Sequence, residues 1–147
     1  MSEMLSAAEG RKVLSRDDAE DVGSVKTAVF DDRVQRIVSL HVSGRRRHAA
    51  LVEWADIAGF GPDAVVIASV DRLREAHDDE SDAVRGKIDP PGARILDDAG
   101  DQHGVVRDIR FDPDSGHVEA IVGDGGEWQP HEVCALGSFA LVVRHRG

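Results

Sequence analysis

The strongest constraint on the fold of this chain is an internal repeat. Residues 23–31, GSVKTAVFD, recur as residues 104–112, GVVRDIRFD, at an offset of 81 positions. The offset persists without a gap from Gly23 to Leu40. Because self-similarity at a fixed spacing marks a duplicated structural unit, the sequence predicts two copies of one small unit and not a single average domain.

The repeat divides the 147 residues into an arm, two units and a linker. The predicted bounds are 1–10 for a flexible N-terminal arm or short helical turn, 11–75 for the first unit, 76–85 for an acidic linker and 86–147 for the second unit. A unit of roughly 60 residues removes only about 60 % of its chain's surface from water. We therefore expect the two copies to pack on each other or on a second chain, which allows a homodimer.

Both copies carry the alternation of apolar and polar residues that predicts β-strands. Val25 and Val29 lie on one face of such an alternation. In the second copy, Pro113 and Gly116 suit a tight hairpin turn. Pro130 lacks the amide donor that a central strand needs, so a single helical turn is predicted there. These signals predict an all-β fold of two tandem small β-barrels with short helical turns.

The two copies differ by an insertion. Residues 57–61 match residues 133–137 at an offset of 76 instead of 81, so the first copy holds five extra residues between Leu40 and Ile57. Guanidinium groups in an exposed hairpin can clamp an acidic segment or a phosphate, although a solvated turn, or a counter-charge for the acidic second unit, is the favoured explanation of such a run. The inserted segment contains the one basic cluster of this acidic chain, namely Arg45, Arg46, Arg47 and His48.

The succession of features in both copies resembles the PRC-barrel family. A strand opens at a glycine, runs to a Phe-Asp pair, turns, returns as an apolar strand and ends in a Val-rich strand. The first copy departs in two places, because residues 32–35 lack the Pro and Gly of the turn and Trp54 stands where the second copy has Pro130. The resemblance in the second copy rests on Gly104, Phe111-Asp112, Gly116, Trp128-Gln129-Pro130 and Leu141-Val142-Val143, and in the first on Gly23, Val25, Phe30-Asp31, Ile37 and Leu40.

The PRC-barrel family is a small all-β barrel found in the H subunit of photosynthetic reaction centres and at the C-terminal end of a ribosome maturation factor. The resemblance implies docking or assembly, and it brings no shared set of catalytic residues. The leading hypothesis is a non-enzymatic protein–protein interaction or assembly module. The alternatives are a ribosome or ribonucleoprotein assembly factor that docks on a basic ribosomal protein, and a small-ligand or enzymatic role at the seam between the barrels.

Charge and composition favour a protein partner over nucleic acid. The net charge is −10, and residues 76–147 carry 7 Lys and Arg against 15 Asp and Glu. Such a field repels phosphate backbones and anionic lipids. Aromatic residues make up only 4 % of the chain and none is Tyr, which leaves few side chains to stack on bases. We expect a protein partner and no direct contact with nucleic acid.

Three absences bear on the location of the chain. No apolar stretch approaches the length of a membrane span, and residues 1–10 lack a basic-then-apolar leader. Cys134 is the single cysteine, so no intrachain disulfide can form, as expected in a reducing compartment. A cytoplasmic location is therefore expected.

Aromatic residues at matching positions of the two copies favour the core. Phe30 and Phe111 are predicted to fill the same core position in each copy. Trp54 and Trp128 are nearly equivalent, and burial is favoured for them over an interface. An interface role stays open for the two tryptophans, so the candidate partner-binding residues are Arg45, Arg46, Arg47, His48, Trp54 and Trp128.

No catalytic residue, cofactor site or metal site is predicted. The segment 112–116 imitates a calcium loop, but His117 and Gly123 occupy the positions that require Gly and Glu. The seven histidines are scattered without the spacing of a zinc site. His131-Glu132 with Asp108 would form an acid/base group, but no nucleophile with a local signature accompanies them.

Overall fold

The computed structural model describes residues 2–44, 50–77, 80 and 89–146, and this part of the chain is mostly β-strand. Helical structure includes α1 (Leu5–Ala8) and 3₁₀ turns at Trp54–Asp56, Val70–Arg72 and Pro130–Glu132. The strands of the first half are β1 (Glu3–Met4), β2 (Lys12–Ser15), β3 (Asp21–Phe30), β4 (Ile37–Ser43), β5 (Ala50–Glu53), β6 (Ile57–Phe60), β7 (Ala64–Ile67) and β8 (Arg74–Glu75). Those of the second half are β9 (Arg94–Asp97), β10 (Gln102–Phe111), β11 (Val118–Gly123), β12 (Glu127–Trp128), β13 (Val133–Leu136) and β14 (Leu141–Val143).

The strands form two sheets with the same internal order. The first sheet runs β6-β7-β2-β3-β4-β5 with β8 added beside β5, and the second runs β13-β14-β9-β10-β11-β12. Each sheet is antiparallel apart from one parallel pair, β2 with β7 and β9 with β14. The sequence repeat is therefore a repeat of topology, and the all-β prediction is confirmed.

Neither sheet closes into a barrel among the residues that the structure describes. Strands β5 and β6 are consecutive in the chain, yet they lie towards opposite ends of the first sheet. The 3₁₀ turn at Trp54–Asp56 separates them. The corresponding turn at Pro130–Glu132 separates β12 from β13, which lie at opposite ends of the second sheet. Each copy is thus an open strand path, in contrast to the predicted closed barrel.

The turns explain why the copies fold alike despite different residues. In the second copy, Gly116 adopts a φ of +80°, and the amide of Asp114 donates to Asp112 Oδ1 at 2.9 Å. In the first copy, Val34 adopts a φ of +56°, and the amide of Gln35 donates to Asp31 Oδ1 at 2.6 Å. A β-branched residue rarely takes this conformation, and the complete burial of Val34 compensates for its strain.

The helical turn predicted at Pro130 is confirmed. It spans Pro130–Glu132, with proline in the first turn where a missing amide costs nothing. The amide of Gln129 donates to Glu132 Oε1 at 2.8 Å, which closes a capping box. This turn brings the chain from the short strand β12 into the edge strand β13.

The two sheets meet in a seam that is symmetric in the repeat. The amide of Ile37 donates to the carbonyl of Gly116 at 2.8 Å, and the amide of Val118 donates to the carbonyl of Gln35 at 2.9 Å. The offset of 81 exchanges these two hydrogen bonds, and the bridge between Arg36 and His117 lies midway. The copies therefore contact each other as the halves of a twofold dimer do.

Aromatic side chains from both copies fill the seam. Phe111 is fully buried and meets the ring of Trp54 at 6.2 Å and that of Phe60 at 5.5 Å, both edge-on. Phe30 is only partly buried, so the two phenylalanines do not fill the same position as predicted. The reason lies across the seam, because the residues that match Trp54 and Phe60 in the second copy are Pro130 and Leu136, and neither has an aromatic ring.

The N-terminal segment contains the helical turn that was one of its two predicted states. Strand β1 pairs with β10, and Leu5 of α1 is 1 % exposed. Arg11 then ties this segment to the first sheet, because its guanidinium contacts Glu3 at 2.6 Å, donates to the carbonyl of Gly61 at 2.8 Å and lies over the ring of Phe60. None of the helices described here is long and apolar enough to cross a membrane.

Candidate functional site

A cleft of about 350 Å³ lies in the second unit, between the turn after β9 and the chain after β14. We call it the Asp97 cleft, after the carboxylate at its base. Trp128 and the Gly125-Gly126 turn line one part of it. Arg144 and Arg146 line another. The chemistry of the cleft resides in Asp97, Asp101, His103 and His145.

The backbone fixes the carboxylate of Asp97 in place. Its side chain is only 3 % exposed, at the last position of β9. Oδ1 accepts hydrogen bonds from the amides of Ala99 at 3.0 Å and Asp101 at 2.9 Å. Aspartate commonly closes a turn through such bonds to amides ahead of it in the chain. One oxygen of Asp97 thus organises the turn, and the other is available to the cleft.

Two imidazoles converge on the second oxygen of Asp97. His103 Nε2 lies 2.8 Å from Oδ2, and His145 Nδ1 lies 3.2 Å from the same atom. The hydrogen bond from His103, followed by that from the Asp101 amide, holds the pKa of Asp97 well below its usual value. The carboxylate is therefore ionised at neutral pH, and it orients two half-exposed histidines from different parts of the chain.

The first unit has a cleft at the matching place but lacks these groups. Its cleft, of about 590 Å³, includes Glu20, Val22 and Val70. The positions that match Asp97, His103 and His145 hold Ser15, Val22 and Ser69. Because the first copy builds the same strand order without an Asp/His cluster, the fold itself does not require the cluster. The match of Asp97 to Ser15 follows from the register of the two parallel strand pairs, whereas the sequence offset of 81 aligns Asp97 with Arg16.

A second distinctive surface is the free edge of the second sheet. Strand β13 pairs only with β14 within the described ranges. Ala135 is exposed, and Phe139, in the turn that follows, is 68 % exposed with the Arg94 guanidinium 4.7 Å from its ring. We call Val133–Leu136 together with Phe139 the β13 edge. It combines free backbone groups with an exposed aromatic ring.

The matching edge of the first unit is capped at one end. Strand β6 is its edge strand, and Arg11 covers the end of β6 through the carbonyl of Gly61 and the ring of Phe60. The second copy has Ala93 in place of Arg11, and the first copy has Asp63 in place of Phe139. The β13 edge thus lacks the side-chain cap that its counterpart has at one end.

The structure places the six predicted contact residues as follows. Trp54 is 9 % exposed and lies at the seam, stacked on Phe60 at 5.6 Å. Trp128 is 5 % exposed and lines the Asp97 cleft, with Arg146 over its ring at 5.1 Å. Both tryptophans belong to the core, in agreement with the favoured interpretation. The basic cluster, Arg45, Arg46, Arg47 and His48, lies outside the described residues.

The acid/base group considered from the sequence is engaged elsewhere. The hydrogen bond from Arg146 lowers the pKa of Glu132 to about 2. The carboxylate of Asp108 accepts the amide of Ser6 at 3.0 Å and also its hydroxyl. Both carboxylates therefore have structural roles, one at the C-terminal end and one at α1.

An acidic cluster lies where α1 meets the start of the second unit. Burial, and to a lesser extent Asp108, raises the pKa of Glu9. Burial, and to a lesser extent Glu9, raises the pKa of Asp89 to about 6. Asp89 Oδ1 is buried and has no hydrogen-bond partner among the described residues. The ionised form of Asp89 is therefore destabilised in the folded state.

We expect Asp89→Asn to stabilise the protein at pH 7 by about 1–2 kcal/mol and to have little effect at pH 4. A carboxyl group with a raised pKa keeps its proton to a higher pH in the folded state than in the unfolded state. The free energy of unfolding of the wild type therefore falls as pH rises from about 4 to 6. Urea unfolding at both pH values measures this difference. Asp32→Asn, at an exposed position, is the control and should change stability by less than about 0.5 kcal/mol. An equal effect of Asp89→Asn at both pH values would contradict the assignment.

In a comparison with known families, residues 89–137 match the model of the PRC-barrel domain. The match runs from just before β9 to just after β13 and contains most of the second sheet. A search of the curated proteins found no match to the chain. The PRC-barrel resemblance of the second copy is thereby confirmed, and the first copy lies outside the matched residues.

Proposed function

We propose that the protein is a non-enzymatic docking module made of two PRC-barrel-like units, at 11–75 and 86–147, that binds a protein partner. The family match supports the assignment of the second unit. The identical strand order of the two sheets supports its extension to the first. The partner-binding role follows the docking and assembly functions that the family resemblance implies.

The observation that carries this proposal is the open β13 edge. An unpaired edge strand offers a row of backbone donors and acceptors to an incoming strand. A partner segment that extends the sheet gains main-chain hydrogen bonds, and side-chain pockets supply specificity. Phe139 provides the aromatic anchor beside this edge, and the corresponding edge in the first unit has no such anchor and carries Arg11 at its end.

The charge of the second half defines the chemistry of the partner. Residues 76–147 carry eight more acidic than basic side chains. Complementary charge speeds encounter and suppresses wrong partners. The proposed ligand is therefore an extended protein segment with an apolar residue for Phe139 and Lys or Arg residues on either side. A basic ribosomal protein has this chemistry, so ribosome assembly is one form of the same proposal.

A ligand site at the seam has less support. Phe111, Trp54 and Phe60 fill the seam with packed rings. The two clefts described above lie within the individual units. The Arg45–His48 segment remains a candidate second contact, predicted from the sequence.

Phe139→Asp, which installs the residue of the first copy, is expected to weaken partner capture at least tenfold. The exposed position of Phe139 means that folding should be unaffected. A photo-crosslinking amino acid at position 139 should form an adduct in native extract, and the same group at position 70 should not. Val70→Asp is the matched control, because Val70 is the other large exposed hydrophobic residue of the described chain.

The outcome separates the alternatives. Mass spectrometry of the adduct should give a basic protein segment, and co-sedimentation with ribosomal subunits that is lost in Phe139→Asp would identify the partner as ribosomal. Equal crosslinking at positions 139 and 70, or capture by Phe139→Asp at the wild-type level, would refute docking at the β13 edge.

A further inference from the structure

We propose that Asp97, Asp101 and His145 bind one divalent transition-metal ion of the zinc class, with His103 as a positioning residue. This inference concerns the Asp97 cleft and is independent of docking at the β13 edge. One ligand atom from each of the three residues lies within 4.8 Å of the others. The three residues come from the end of β9, the turn after it and the segment after β14.

The separation of the two best-placed donors is compatible with a shared metal ion. Asp97 Oδ2 and His145 Nδ1 are 3.2 Å apart. Zinc binds carboxylate oxygen and imidazole nitrogen at about 2.0–2.2 Å. These lengths give an angle of about 100° at the ion, between the octahedral and tetrahedral values. Asp101 is exposed, so its side chain is free to rotate towards the same point.

The surroundings of Asp97 prepare one oxygen for an ion. Oδ1 is held by two backbone amides. His103 Nε2 donates to Oδ2 at 2.8 Å and fixes its direction. Hydrogen bonds to a ligating group orient it and tune its affinity for the metal. The carboxylate therefore has little freedom left to lose when a metal binds.

The donor set selects the class of metal. Magnesium and calcium prefer coordination by oxygen alone, whereas imidazole suits zinc and the later transition metals. Two carboxylates also neutralise a divalent charge. The cleft of about 350 Å³ beside these donors leaves room for water or another ligand to complete the coordination.

The repeat indicates that the donors are not needed for folding. The first copy forms the parallel strand pair equivalent to β9 and β14 with Ser15 in place of Asp97. Ser15 Oγ is buried and has no hydrogen-bond partner in the described part of the chain. The parallel strand pair therefore forms without an aspartate at this position. Only the second copy gathers an aspartate and two histidines there.

The test is calorimetric titration of the untagged, chelator-treated full chain with Zn²⁺, together with the visible absorption of the Co²⁺ form. We expect one ion per chain and a Co²⁺ spectrum that indicates nitrogen and oxygen ligands. His145→Ala should weaken binding at least tenfold, because it removes a ligand. His103→Ala should weaken it about tenfold, as loss of a hydrogen bond to a ligand typically does. Binding should also release protons and weaken as pH falls.

The control is His131→Ala, which removes an exposed histidine from a different turn and should leave affinity unchanged. His145 is about half exposed, so its replacement should preserve the fold, and circular dichroism checks this. Absence of stoichiometric binding by the wild type would overturn the proposal. So would wild-type affinity in His145→Ala, or an equal loss in His131→Ala.

Discussion

Phe111→Ala is expected to lower the free energy of unfolding by about 3–5 kcal/mol, the range for removing a large aromatic side chain from a core. Phe111 is fully buried, and it contacts the rings of Trp54 and Phe60 from the other copy. The cavity would open at the seam, so both sheets would lose packing. Urea unfolding followed by tryptophan fluorescence measures the loss, because Trp54 is in direct contact with the site.

The repeat supplies a matched control in Phe30→Ala. Phe30 is the residue of the first copy that matches Phe111 in the sequence repeat, but its side chain is only partly buried. We therefore expect Phe30→Ala to lower the free energy of unfolding by about 1–2 kcal/mol. If the two variants lost equal amounts of unfolding free energy, the contacts of Phe111 across the seam would add nothing to stability. In that case, the aromatic cluster would not be the principal contact between the sheets.

The repeat allowed much of the architecture to be predicted, because strand order follows local patterns that both copies share. Alternation placed the strands around Val25 and Val106, and proline placed the turn at Pro130. The same local patterns could not show whether each sheet closes into a barrel. Closure would require β5 and β6 to pair across a 3₁₀ turn. The sequence contains no local signal for such pairing.

The seam was beyond sequence reasoning because its contacts join residues far apart in the chain. Phe30 and Phe111 are identical residues in matching positions, yet their burial differs because Trp54 and Phe60 have no aromatic counterparts in the second copy. A residue's environment in a duplicated fold depends on the other copy as much as on its own.

The Asp97 cleft was missed for a related reason. Asp97 and His145 are 48 residues apart, and a search for local metal-binding spacing does not connect them. The parallel pairing of β9 with β14 brings the two together. The strand register shows Asp97, His103 and His145 as a joint departure from Ser15, Val22 and Ser69, but the sequence offset of 81 aligns Asp97 with Arg16 and hides it.

The symmetric seam suggests how the copies diverged. Two units that contact each other as a twofold dimer are identical when they come from separate chains. Fusion into one chain removes that constraint. Here the second copy carries the Asp/His cluster and the open edge with Phe139, and the first carries Arg11 as an edge cap. The distinct surfaces of the protein thus arise from side chains that differ between two copies of the same strand order.

Gly116→Ala tests the seam where Gly116 packs against the ring of Trp54 from the other copy. Gly116 has a φ of +80°, and a Cβ atom there would lie 2.9 Å from Trp54 Cε2. The left-handed backbone costs an alanine about 1–2 kcal/mol, and overpacking against a buried ring adds about 1–3 kcal/mol. We expect a total loss of about 2–5 kcal/mol in urea unfolding.

Gly100→Ala separates the two costs. Gly100 has a φ of +93° and no atom within 4 Å of an added Cβ, so it should lose only the backbone contribution of about 1–2 kcal/mol. Adding Trp54→Phe should recover part of the loss in Gly116→Ala, because a smaller ring relieves the clash, and contacting residues are not additive. The same addition to Gly100→Ala should be additive. If Gly116→Ala lost no more than Gly100→Ala, or if both double variants were additive, Trp54 would not pack on Gly116 and the symmetric seam would be wrong at its centre.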